Sequence, residues 1–257
     1  IPLVAGAGCN VPAIMGTRVL ATLRERILAS TLVCLMPCSA RTAVIAGAVA
    51  KYVGWEAAVG IYLIVAGLGF GAGFWLNRVI PGRPTGLVME MFPFRAPSLR
   101  TMLKQTWYRF KGFVWVATPI VLAGSFVLGV IYETGLVWAF TAPLRPIVEG
   151  WLGLPAVAGL TLIFAVLRKE LALQLLLTLA IAQYGAGAGD MLQFMDRAQI
   201  FTYALVNTLY IPCIATVAVL ARELGWRRAL LISGFTIALA LLAGGLAHRL
   251  IALYWGA

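Results

Sequence analysis

The sequence predicts an all-α fold: a polytopic transmembrane helix bundle with broken or re-entrant helices and a candidate internal repeat. Three observations carry this prediction. The chain is 62% hydrophobic and only 11% charged, with a mean hydropathy of +0.95, too apolar for an ordinary soluble domain. Several apolar stretches reach the roughly 20 residues that cross a bilayer, and the length suits about six or seven such segments. Finally, proline or glycine interrupts these stretches at Gly8-Cys9-Asn10-Val11-Pro12-Ala13, Met36-Pro37-Cys38-Ser39-Ala40 and Ile211-Pro212-Cys213-Ile214-Ala215. A proline inside a helix removes a donor and clashes with the preceding turn, so each site is expected to break or kink its helix.

In chain order, Ile1–Thr17 is glycine-rich and moderately apolar and reads as a broken or re-entrant piece. Arg18, Arg24, Glu25 and Arg26 form a polar junction. Ile27–Ala50 is a span interrupted at Pro37–Arg41, and Lys51–Glu56 is a turn containing Gly54. Ala57–Leu76 is the clearest span. Its Gly67, Gly69, Gly71 and Gly73 form two overlapping Gly-xxx-Gly pairs, which predict close helix–helix contact; no strand precedes them, as a nucleotide fingerprint requires. Asn77–Lys111 holds seven basic residues against Glu90, which places it on the cytoplasmic side. Within it, Leu99, Met102, Leu103, Trp107 and Phe110 have helical spacing and predict an amphipathic surface helix over Ser98–Gly112. Phe113–Tyr132 spans again with a kink at Pro119, and Val137–Trp151 is a short piece broken at Pro143 and Pro146. Leu152–Gln183 is too long for one span and carries Arg168-Lys169-Glu170 in its middle. After a small-residue loop with Asp190, Ile200–Ala221 spans with a break at Pro212 and Ala229–Ile251 closes the chain. Residues 1–257 thus form one membrane region, divided into 1–76, 77–112 and 113–257.

Charge and cysteine usage exclude several classes. A net charge of +11 would suggest nucleic acid in a soluble protein. Here the basic residues crowd between apolar segments, where anionic headgroups and the positive-inside bias account for them, so the expected partner is the lipid bilayer and no nucleic acid. The four cysteines lack the paired spacing of a zinc module, and disulfide frameworks belong to small secreted domains. There is no His-Glu-x-x-His, Gly-x-Ser-x-Gly or phosphate-loop motif, and one histidine is poor material for base–nucleophile chemistry, so no enzyme is expected. The chain has neither an initiating Met nor a signal peptide and reads as part of a larger polypeptide.

The chemistry rests on the helix breaks. Peptide groups freed inside a bilayer are tolerated where they face protein or a watery cavity. A thiol at each break adds a soft ligand, which favours iron, copper or zinc over Mg²⁺ or Ca²⁺. Cys9, Cys38 and Cys213 are therefore candidate ligands on a cation path. Free cysteine is also a small buried hydrophobe, and that reading is preferred for Cys34, one turn before Cys38. Glu170 lies in an apolar run, where an ionisable residue lines a pathway or pairs with Lys169 or Arg168. Asn10 offers a hard oxygen near Cys9 or caps a half-helix. His248 is assigned to the interface, and Arg41 to a helix cap or an ion pair. An internal echo links two breaks: Pro37-Cys38 precedes Gly54-Trp55, and Pro212-Cys213 precedes Gly225-Trp226. Paired broken helices point to a transporter's binding site.

These landmarks resemble the membrane domain of FeoB-type ferrous iron transporters. Gly8-Cys9-Asn10-Val11-Pro12-Ala13-Ile14-Met15 with Thr17-Arg18 is similar to one family motif, and Cys38-Ser39-Ala40-Arg41 to the next. Glu90-Met91-Phe92-Pro93-Phe94-Arg95-Ala96-Pro97, Thr106–Phe113 and Tyr210–Thr216 with Arg222-Glu223 and Gly225-Trp226 follow in family order. Lys169-Glu170 falls where the family has Ala-Lys-Glu, with Arg168 in place of alanine. The resemblance implies a multi-pass permease segment of a bacterial or archaeal inner membrane with two gate elements, in 1–76 and 113–257. Fe²⁺ is the implied transported ion, with no tightly bound cofactor. A GTP-binding domain and further membrane helices of the same transporter are implied partners, with a homo-oligomer as a further candidate. The alternatives are a gate-containing carrier for an organic solute such as a nucleoside, and a non-transporting membrane anchor.

Overall fold

The computed structural model describes residues 2–81, 98–133, 146–166, 169–184 and 191–255. They contain helices and no strand: α1 (Pro2–Gly8), α2 (Asn10–Gly16), α3 (Leu23–Leu35), α4 (Ser39–Val44), α5 (Trp55–Val79), α6 (Leu99–Glu133), α7 (Ala156–Phe164), α8 (Lys169–Tyr184), α9 (Arg197–Leu209), α10 (Ile214–Leu224) and α11 (Trp226–Trp255). The helix α4 runs on as a π-helical turn, Ile45–Ala50, and another such turn, Pro146–Trp151, precedes α7. Four stretches are long and apolar enough to cross a membrane: Leu23–Ala50, Trp55–Val79, Arg197–Leu224 and Trp226–Ile251. They coincide with four of the expected spans, and the chain is an all-α polytopic bundle.

Two of these spans are composite and share one plan. Each opens with a 13-residue helix, α3 or α9. A side chain caps each start: Thr22 accepts from the Glu25 amide, and Asp196 forms a capping box with Gln199, satisfying amides that have no helical partner. Each helix ends at a proline–cysteine break and resumes as α4 or α10. Each resumed helix stops at a glycine in the left-handed region, Gly54 (φ 134°) or Gly225 (φ 91°), where a Cβ is disfavoured. Trp55 and Trp226 then start the long helices α5 and α11. The first unit is one helical turn longer between proline and glycine, and contains the π-helical turn.

Helix α9 lies at the centre, with Tyr203, Leu205, Val206 and Leu209 buried among Ile45, Val49, Ile61 and Leu176. A second apolar cluster, including Val11, Ile14, Val33, Leu220 and Ile232, joins α2, α3, α10 and α11. Large apolar side chains such as Phe70 and Leu231 point outward, as lipid contact demands.

Two expectations are corrected and one holds. The surface helix and the span after it form one 35-residue helix, α6, with Pro119 inside it; a lone Gly112 at their junction does not stop a helix. The long run Leu152–Gln183, expected to exceed one span, is divided between α7 and α8, with Lys169 the first described residue of α8. Among the described residues the glycines of α5 are largely open: a Cβ at Gly67, Gly69 or Gly71 would meet nothing within 4 Å, and Gly73 is approached by Leu32 at 3.3 Å. Gly69 and Gly73 instead border an apolar groove of about 730 Å³ shared with α1 and α3. The landmarks at Glu90–Pro97, Pro143, Arg168 and Asp190 lie outside the described residues.

Candidate functional site

Each of the three candidate cysteines occupies the N-cap of a helix. Cys9 precedes α2 (φ −150°, ψ 131°), Cys38 precedes α4 (φ −80°, ψ 171°) and Cys213 precedes α10 (φ −56°, ψ 154°). At each thiol the chain leaves one helix, takes an extended step and enters the next. Proline is the local cause at two of them, since it also drives the residue before it out of the helical region; Met36, before Pro37, has ψ 132°. Pro12 acts at a distance. It sits in the first turn of α2, where its missing N–H costs nothing, and the break falls at Cys9. Gly8 supplies the carbonyl that a helical residue 12 would have bonded.

The freed carbonyls find new donors. Ser39 Oγ donates to Gly8 O at 2.9 Å. With its carboxamide oriented to donate, the buried Asn10 bonds Gly6 O at 3.2 Å and Val33 O at 3.3 Å; Pro37 deprives Val33 O of its helical partner, and it accepts from Met36 N at 3.2 Å as well. Arg41, 1% exposed, donates from Nη1 to Cys34 O (2.7 Å) and Met36 O (3.1 Å) and from Nη2 to Tyr210 O (3.3 Å). It therefore caps the end of α3, as expected, and also reaches the end of α9. Lys169, 3% exposed, donates from Nζ to Asn207 O at 2.7 Å and stands 5.6 Å from the centre of the Tyr210 ring. Ile214 N donates to Val166 O at 2.8 Å. Buried peptide groups without water must be bonded by protein, and these freed carbonyls are.

The thiols share a neighbourhood. Cys9 is exposed, Cys38 and Cys213 are half-buried and Cys34 is buried. Cys9 lies within electrostatic reach of Cys38 and Cys213, and Arg41 and Lys169 both lie within reach of Cys38 and Cys213. Cys213 Sγ is 3.1 Å from Thr216 Oγ1. Among the described residues, no group of three or more His, Cys, Asp or Glu side chains is close enough to hold a metal ion. Glu170 is the second residue of α8, and its side chain lies outside the described residues. His248 packs its ring against Gly153, a glycine at φ 63° with no room for a Cβ. Lys169 as a brace was missed from the sequence; a basic residue inside an apolar run was its signal.

Residues 58–109 match the family model described as the ferrous iron transport protein B C terminus, and residues 114–227 match the Gate model, described as nucleoside recognition. The Fe(2+) transporter FeoB of Methanocaldococcus jannaschii is 31% identical over 271 residues, covering 93% of this chain and 39% of the relative. The proteins of the same name from Salmonella typhimurium and Escherichia coli are 35% and 33% identical over 132 residues, covering 50% of this chain and 17% of each relative. No solved structure matches the chain. The chain spans 39% of the length of the archaeal relative, and it belongs to the FeoB family as a C-terminal membrane part.

Proposed function

We propose that this chain is the permease part of a ferrous iron uptake system, and that Fe²⁺ passes Cys9, Cys38 and Cys213 at the helix breaks. The observation that carries the reading is that all three cysteines occupy the same structural position, the extended step before a helix, with Cys38 and Cys213 each within electrostatic reach of Cys9. Thiol ligands suit a borderline-soft cation. The buried guanidinium of Arg41 opposes tight binding, and a conducting site must release its ion. Asn10 and Glu170 are secondary candidate ligands. Residues 1–76 and 113–257 supply the two gate elements and 77–112 a cytoplasmic connection, in an inner membrane. A GTP-binding domain, further helices of the transporter and a second copy are its proposed partners, and the segment itself performs no enzymatic step.

The test is uptake of radioactive Fe²⁺ into membrane vesicles carrying the protein. Cys9→Ser, Cys38→Ser and Cys213→Ser are each expected to lower uptake by about tenfold or more with normal insertion. Wild-type uptake in all three would sink the metal path. A second reading, a carrier for a nucleoside-like solute, is favoured by the description of the model matched over residues 114–227; it requires labelled nucleoside to bind without metal.

A further inference from the structure

The half-helices α2 and α10 pack side by side, each begins at a candidate cysteine, and their far ends are tied by charge. Arg18, in the turn after α2, donates from Nε to Glu223 Oε2 at 2.7 Å and from Nη2 to Oε1. Arg26, at the start of α3, donates from Nη2 to Glu223 Oε2 at 3.2 Å and to Glu223 O at 3.3 Å. The Glu223 side chain is 5% exposed, whereas that of Arg18 is 55% exposed. Between them runs an apolar seam that includes Val11 and Ile14 of α2 and Leu220 and Leu224 of α10.

The geometry gives this cluster leverage on the thiols. The two helices run from cysteine to ion pair in the same direction, and the ion pair lies about 13–15 Å from the thiols at 1.5 Å per residue. Parallel neighbouring helix dipoles repel, and two turns of helix are too short to persist alone. Helix α2, with seven residues, therefore depends on its attachments for its position. Near the thiols it is braced by Asn10 and by the Ser39–Gly8 bond; at the other end a bidentate arginine–carboxylate pair supplies the directional contact.

We propose that Glu223, gripped by Arg18 and Arg26, is a positioning residue for the thiol site: it fastens the far ends of α2 and α10 and so sets the spacing of Cys9 and Cys213. Its consequence for iron passage rests on the reading above; the geometric claim stands apart from it.

The experiment measures cross-linking of Cys9 to Cys213 by a short bismaleimide, read by mass spectrometry, in membrane vesicles bearing the chain with Cys34→Ala and Cys38→Ala. In that background, Glu223→Ala and Arg18→Ala are each expected to slow cross-linking by about fivefold or more, and Glu223→Gln, which keeps neutral hydrogen bonds, by less. Unchanged rates in both alanine variants, or no cross-link in the parent, overturn the proposal. If Glu223→Ala fails to insert, Arg18→Ala decides the matter, because it trims a half-exposed side chain. Fe²⁺ uptake with all four cysteines present separates the two claims. Slowed cross-linking with unchanged uptake in Arg18→Ala overturns the iron reading and leaves the clamp. Unchanged cross-linking beside cysteine-dependent uptake overturns the clamp alone.

Discussion

Replacing Arg41 by methionine tests whether one buried side chain holds both helix breaks. Arg41 is 1% exposed and donates to three carbonyls, two at the end of α3 and one at the end of α9. Methionine keeps much of the stem's packing, so the loss falls on the donors. Each charge-assisted bond contributes about 1.5–3 kcal/mol, and each orphaned carbonyl costs about 1–3 kcal/mol. Against this, removing a buried charge recovers several kcal/mol of desolvation. The expected net loss is about 2–4 kcal/mol, a fall of about 5–15 °C in midpoint for a chain of this size. Arg41→Lys keeps the charge, but a single ammonium cannot bridge both ends, and about half the loss is expected. Thermal unfolding in mild detergent, followed by size-exclusion fluorescence, reads both variants. A methionine variant melting at or above the wild type would refute the bridging role.

Two further substitutions probe packing by the same assay. Asn207 is fully buried and, among the described residues, neither atom of its carboxamide has a partner; Asn207→Leu, of similar shape, is expected to leave stability unchanged or raise it by about 1–2 kcal/mol, and a lowered midpoint would contradict this. Gly73→Leu must displace Leu32, 3.3 Å from its Cβ position, at a cost of about 1–3 kcal/mol. Gly67→Leu enters open space and is expected to be neutral or stabilising, so equal losses at the two sites would contradict the packing found on α5.

Much of the architecture was legible because it rests on local rules. Apolar length located four spans, and Pro37 and Pro212 marked where two of them open, since the missing amide acts within one turn. The Gly-Trp pairs after both breaks proved to be matching positive-φ stops before long helices. Other features needed the neighbours. The Gly-xxx-Gly pattern of α5 predicted contact along its length, yet helix placement leaves three of the four glycines open. The surface helix and the span after it merged into α6 because nothing at Gly112 obliges the chain to turn.

At the candidate site, the sequence alone determined which residues stand at the breaks: a thiol at each, with Arg41 three positions beyond Cys38. Helical hydrogen bonding is local, so proline's effect on it can be read residue by residue. Only the tertiary structure decided where the freed carbonyls go. Gly8 O meets Ser39, Val33 O meets Asn10, Tyr210 O meets Arg41 and Asn207 O meets Lys169. Such pairings join residues up to 169 positions apart. No periodicity records them, because the need of a buried carbonyl for a donor does not specify which distant helix provides it.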